Sequence, residues 1–210
     1  MELLMKLIRF CLITAFLVIF SLISFSQDYS GLQDVFRQSY SYEMKGKYAE
    51  AADIIKTKYD ENSYEINIRL GWLSYSAGLF TESMAYYQKA INLKSFAIEP
   101  RLGFVLPAAA LGNWDMVLEQ YREILKIDPM NSLVNYRIGV IAYGREDYET
   151  AYKYFEKVVN LYPFDYDSLI MFAWTNLKLG KTREAKVLFQ KALIMRPDDV
   201  SATDGLKLIQ

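Results

Sequence analysis

The sequence predicts an all-α fold, a right-handed α-solenoid of about five helix–turn–helix units closed by a C-terminal capping helix. Three observations predict it. Pro129, Pro163 and Pro197 stand 34 residues apart, and Gly46, Gly78, Gly112 and Gly180 are spaced by 32, 34 and 68, with Glu146 in the slot that lacks a glycine. A fixed grammar follows each of these five slots. Two residues on come Tyr48, Phe80, Trp114, Tyr148 and Thr182, then the mostly small Ala51, Ser83, Val117, Ala151 and Ala185, then Ile55, Tyr87, Tyr121, Phe155 and Phe189. Finally, apolar residues keep a helical period for about 14 residues, stop at a glycine or polar turn and restart, without the period-two alternation of a strand.

The elements follow in order. Lys6 and Arg9 precede an almost purely apolar run, Phe10 to Phe25. At about 16 residues the run is short for a membrane span, which needs roughly 20. A basic start, an apolar middle and small residues at Ser24 and Ser26 form the three parts of a secretory signal, residues 1–26, with cleavage expected after Ser26. The alternative is an uncleaved anchor formed by residues 10–25. A lipid anchor on Cys11 is not expected, because Ile8-Arg9-Phe10 offers no small residue before it. The repeat domain is then 27–210, with units at about 32–65, 64–97, 98–131, 132–165 and 166–199; the first two overlap because their spacing is two residues short.

Within each unit the turn glycine suits a helix end that needs positive φ. The small residue lets the two helices approach, and the proline ends the unit. One helix pair cannot bury its own apolar face, so neighbouring units must stack. Pro107, in Val105-Leu106-Pro107-Ala108, is expected to kink its helix. Asp198-Asp199 can start the cap over 200–210, with Leu206 and Ile209 inward and Lys207 outward.

These residues resemble the tetratricopeptide repeat family. The fourth copy fits best, with Ile138-Gly139, Tyr148, Ala151, Phe155 and Pro163; the fifth follows, with Phe172-Ala173, Gly180, Ala185, Phe189, Ala192 and Pro197. The second has Leu70-Gly71, Gly78, Phe80 and Ala90 but ends on Ser95, the third keeps Gly112, Trp114, Tyr121 and Pro129, and the first departs most, with Gln38, Ser39 and Lys58 at consensus positions. The resemblance implies that one face of each first helix lines a concave surface where peptides or partner helices lie. Here that face holds Phe36, Tyr40, Ile68, Trp72, Tyr75, Leu102, Leu106, Tyr136, Val140, Tyr143, Ile170 and Trp174. The first helices are therefore apolar on both sides, whereas a solvated face should be polar. Two readings are open: curvature buries these groups against each other, or a partner segment fills a groove. The clamp with which some relatives of this family grip a terminal carboxylate is not expected. Its basic residues are replaced by Glu43, Glu65, Glu99 and Asp167, with Lys178 alone, and Asn67 and Asn135 fall on the packing side.

Composition narrows the chemistry. The chain has no histidine and one cysteine, Cys11 in the leader, which removes the commonest general base, metal ligand and thiol nucleophile. With 24 basic and 25 acidic residues the net charge is −1, unlike a general nucleic-acid binder. The pairs Asp198-Asp199 and Glu146-Asp147 lie at helix starts, where acids cap. Lys153, Lys157, Lys186 and Lys191 alternate with Glu149, Glu156 and Glu184, as on a solvated face. No phosphate loop or nucleophile motif is present. The expectation is an exported protein, periplasmic or secreted if bacterial, that is not an enzyme, needs no cofactor or metal and scaffolds a protein or peptide partner. The alternative is a membrane-anchored assembly subunit acting through oligomerisation; contact with a membrane is expected only through an uncleaved leader.

Overall fold

The computed structural model describes residues 29–209, so the expected leader lies outside the described residues. Among those residues are eleven α-helices and no strand, which places the chain in the all-α class. The described residues divide into two compact units, one up to Lys58 and one from Tyr59.

The first unit is a helix hairpin of α1 (Ser30–Glu43) and α2 (Tyr48–Lys56). α1 buries Val35 and Ser39, and α2 buries Ala51, Ala52 and Ile55. The second unit holds four hairpins and a closing helix. The hairpins are α3 (Tyr64–Ser76) with α4 (Phe80–Leu93), α5 (Glu99–Ala110) with α6 (Trp114–Ile127), α7 (Ser132–Gly144) with α8 (Tyr148–Leu161), and α9 (Tyr166–Lys178) with α10 (Thr182–Met195); α11 spans Val200–Lys207.

All five hairpin turns share one backbone. Gly46, Gly78, Gly112 and Gly180 have φ of 70°, 78°, 73° and 72°. The next N–H reaches back to a carbonyl five residues earlier: Lys47 to Tyr42, Leu79 to Ser74, Asn113 to Ala108, Asp147 to Ala142 and Lys181 to Asn176, at 2.8–3.0 Å. This is the Schellman closure that a left-handed residue makes possible. Glu146 takes the same conformation, φ 62°, at a cost of about 1 kcal/mol relative to glycine.

The joints between hairpins repeat as well. Asp128, Tyr162 and Arg196 end their helices extended, at φ −133°, −127° and −134°, as the following prolines require. Lys94 adopts the same φ of −134° before Ser95, so the joint does not depend on proline alone. A second tie explains this. The Asn67 amide donates to the Glu61 carbonyl at 2.9 Å and Asn135 to the Pro129 carbonyl at 3.1 Å. At the equivalent position Arg101 donates to the Ser95 carbonyl at 3.1 Å and to Gln120 at 2.9 Å. These three joints are thus fastened by a donor from the next helix; Asn67 and Asn135 are buried on the packing side, 0% and 1% exposed, and Arg101 is half-buried.

The core is built from two recurring slots. Ala51, Ser83, Val117, Ala151 and Ala185 are all buried, as are Ile55, Tyr87, Tyr121, Phe155 and Phe189. In the second unit the larger slot works as a knob. The Tyr87 ring lies so close to Gly71 on α3 and Gly103 on α5 that an added Cβ would meet it at 3.0 and 2.2 Å. The Phe155 ring fills the same space above Gly139, at 2.7 Å, and the Phe189 ring above Gly205 of α11, at 2.2 Å. One ring therefore joins its own hairpin to the next, and at α11 it seats the closing helix. Leu206 and Ile209 pack on that cluster, whereas Lys207 is exposed and pairs with Asp204.

The expected kink at Pro107 does not break its helix. α5 continues to Ala110, Pro107 is buried, and its carbonyl accepts from Leu111 N–H at 3.1 Å. Standing one turn from the helix end, the proline removes only one interior hydrogen bond.

Gly103→Ala should destabilise the protein by about 1–3 kcal/mol, because the methyl group must displace the buried Tyr87 ring rather than a flexible side-chain end. Urea unfolding of the variant beside Gly112→Ala separates this from backbone strain. Gly112 has open space around its Cβ position but positive φ, so its loss comes from backbone alone.

Candidate functional site

The first helix of each hairpin is positioned by its packing side. On α7 that side carries Val134, Asn135, Ile138, Gly139 and Ala142, all buried. The opposite side of α3, α5, α7 and α9 is held by the same contacts. It presents Ile68, Trp72 and Tyr75; Leu102 and Leu106; Tyr136, Val140 and Tyr143; and Ile170 with Trp174. Trp72 is 38% exposed and Leu106 40%; Ile170, at 8%, is the one buried member, and the others are half-buried. On α1, Phe36 is half-buried and Tyr40 is 50% exposed, with ring centroids 6.3 Å apart on that helix's own surface.

The half-burial has a specific origin. Most rings on this side lean on a ring of their hairpin's second helix: Tyr75 on Phe80 at 5.8 Å, Tyr136 on the buried Phe155 at 5.9 Å, Tyr143 on Tyr148 at 5.3 Å and Trp174 on the buried Phe189 at 5.1 Å, while Trp72 leans on Tyr75 at 6.0 Å. Such tilted and edge-on pairs are worth about 0.5–1.5 kcal/mol beyond area burial. The rings are thereby held in place while part of each stays open. Burial pushes the Tyr143 hydroxyl pKa up, with Tyr148 adding to it; burial and the nearby Asp167 and Asp165 carboxylates do the same to Tyr136 against the opposing pull of Arg137. Both phenols are therefore neutral donors at neutral pH.

In the third hairpin the pattern changes. Ala109 stands where Tyr75 and Tyr143 stand, so Trp114, the counterpart of Phe80 and Tyr148, has no such partner and is 47% exposed. On this side α5 thus carries aliphatic residues, Leu102 and Leu106, where α3 and α7 carry aromatics.

Sequence reasoning did not find the role of Trp174. Its indole N–H donates to Ser201 Oγ at 2.8 Å, tying α9 to α11. It also did not find the cleft of about 560 Å³ between the starts of α7 and α9, lined by Leu133, Tyr136, Tyr162 and Asp165 among others. The only signal was a pair of carboxylates, Asp165 and Asp167, just after Pro163. Among the described residues no cluster of His, Cys, Asp or Glu could hold a metal ion, and no helix is long and apolar enough to cross a membrane.

Family profiles described as tetratricopeptide repeat match residues 64–96 and 166–199, and another of the same description matches 134–165. These spans coincide with three of the hairpins whose turns and ring seats are described above. The chain carries tetratricopeptide repeats. It is 25% identical over 171 residues to the TPR repeat-containing protein YpiA of Bacillus subtilis (strain 168), which covers 79% of this chain and 40% of that protein. Over 97 residues, 46% of this chain and 8% of the relative, it is 30% identical to the RNA polymerase-associated protein CTR9 of Caenorhabditis elegans. The chain thus spans less than half the length of either relative. Among solved structures, a tetratricopeptide repeat protein from Parabacteroides merdae ATCC 43184 superposes with a TM-score of 0.72 at 18% identity, over 85% of this chain and 72% of that one. MamA from Desulfovibrio magneticus RS-1 superposes with a TM-score of 0.67 at 16% identity, over 81% and 98%. At these identities the likeness concerns the fold. Tetratricopeptide repeats generally mediate protein–protein interaction, and a row of half-open apolar faces is suited to it.

The tetratricopeptide array closes on α11, and that joint carries a titratable lock. Asp199 caps α11 by accepting from Ala202 N–H at 2.7 Å, and its hydrogen bond with the Tyr166 hydroxyl holds its carboxyl below the ordinary 3.8. Burial and the same bond push Tyr166 up to about 12. Because the folded pKa of Asp199 is lowered, the unfolded chain binds the extra proton first. The stabilisation is complete above about pH 4 and is lost as pH falls through the folded value. Acid titration should therefore weaken the cap of α11, read as a small loss of thermal stability between about pH 5 and pH 3 that Asp199→Asn removes.

Proposed function

We propose that this chain is an exported, non-catalytic scaffold that binds a protein or peptide segment on the apolar inner faces of its first helices. The observation that carries the reading is the second apolar side of α3, α5, α7 and α9, where Trp72, Tyr75, Leu106, Tyr136, Val140 and Tyr143 are rigidly held yet partly open. Apolar area of this kind marks interaction surfaces, and Tyr and Trp are the side chains most enriched where binding energy concentrates. Ile170 with Trp174 on α9 belong to the same set, and Phe36 and Tyr40 on α1 form a patch of their own on the first unit. Ile170 and Trp174 contribute more to the fold than to the open surface.

Trp72→Ala with Tyr143→Ala tests it. Partner capture should weaken by about 2–4 kcal/mol in total. Thermal stability should fall by less than the roughly 3–5 kcal/mol that one fully buried aromatic truncation costs. A stable double variant that binds its partner as tightly as the parent removes these residues from the interface.

Export rests on the basic, apolar and small segments of residues 1–26. Protein recovered from its host should begin at Gln27. An intact Met1 would instead favour the anchored assembly subunit.

A further inference from the structure

The cleft between the starts of α7 and α9 combines an apolar wall with charged groups. Leu133, Tyr136 and Tyr162 form the wall; Leu133 and Tyr162 are 48% and 53% exposed, and Val158, buried, is the floor. Asp165 and Asp167 line it from the start of α9. Asp165 accepts from Ser168 N–H at 3.0 Å as the cap of α9, which leaves its second oxygen for another donor. Asp167 is 3.9 Å from Arg196, in a pair exposed on both sides, while the Arg196 guanidinium lies flat on Tyr166 at 3.5 Å. A long exposed pair of that kind contributes little and is readily exchanged.

Arg137 is the opposing charge on the rim. The lining thus carries two carboxylates against one guanidinium. Two carboxylates beyond an apolar wall, with two tyrosine rings beside the path, match a long side chain that is aliphatic along its stem and cationic at its head.

We propose that this cleft takes a lysine or arginine side chain presented by the partner, its stem against Leu133, Tyr136 and Tyr162 and its head at Asp165 and Asp167. The proposal deepens the reading of the inner face as a binding surface, since Tyr136 belongs to both. It makes the partner segment apolar with a basic anchor, the reverse of an acidic tail held by basic residues.

The test needs no partner and so stands or falls apart from the Trp72/Tyr143 experiment. Nα-acetyl-lysine amide and Nα-acetyl-arginine amide are titrated into the 15N-labelled full chain, beside the neutral norleucine and the acidic glutamate analogues. Saturable amide shifts at Leu133, Tyr136 and Ser168 are expected with the basic probes. Binding should be roughly fivefold or more weaker for norleucine, and should weaken with added salt. In the double variant Asp165→Asn with Asp167→Asn it should fall by a similar factor. Asn also caps helices well, so α9 is expected to persist, and unchanged amide dispersion verifies it. Absence of saturable shifts with either basic probe, equal binding of norleucine, or unchanged binding to the folded Asn variant would overturn the proposal. Preference for the glutamate probe would also overturn it, assigning the cleft to Arg137.

Discussion

An aromatic ring pressed against glycine is the contact on which the stacking depends. Tyr87 fills the space over Gly71 in its own hairpin and over Gly103 in the next, and Phe189 does the same at Gly205. A ring buried this way contributes the apolar area of a large side chain. At Tyr87 it also sets the distance between helices, because neither Gly71 nor Gly103 has a Cβ to hold the ring off. Packed interiors do not deform gradually, so the separation set by one ring passes to the next hairpin.

The interaction face follows from that contact. A first helix must bury one side against its partner and the ring from its neighbour, and a soluble protein would ordinarily leave the other side polar. Here the rings behind also support the rings in front: Phe155 carries Tyr136, and Phe189 carries Trp174. The choice between packed core and binding groove is therefore not a choice between residues. Each inner-face aromatic has an edge committed to the interior and a remainder facing out. That arrangement keeps a large side chain in one orientation without its being withdrawn from contact with a partner, which reduces the ordering cost of association.

The hairpins, their turns and the two core slots were legible in the sequence because each depends on local chemistry repeated at one period. Positive φ asks for glycine, close approach asks for Ala or Ser, and a proline forces an extended residue before it. Even the exception was legible, since Glu146 occupies a glycine slot and pays with backbone strain. What was not legible depends on pairs far apart in sequence and not repeated. Nothing in the period marks Ser201 as the acceptor for Trp174, or Gln120 as an acceptor for Arg101. The partial exposure of the inner face is of the same kind. It is set by which ring stands behind each residue, and Ala109 in the third hairpin changes the answer for Trp114 without altering the apolar pattern.

The same logic explains how the array is closed. α11 repeats the first-helix pattern, with Gly205 under the Phe189 ring and Ala202 buried. One position departs from it. Gly71, Val105, Gly139 and Ala173 recur every 34 residues on the side that receives a hairpin's own second helix, and the next in the series is Lys207, exposed and paired with Asp204 at 2.9 Å. A second helix packed there in the usual way would have to set its ring against a lysine and strip the ammonium of water. Transferring an unpaired charge from water is far less favourable than leaving an apolar side chain exposed. α11 thus accepts the ring from the hairpin before it through Gly205, while Lys207 stays in water beside Asp204.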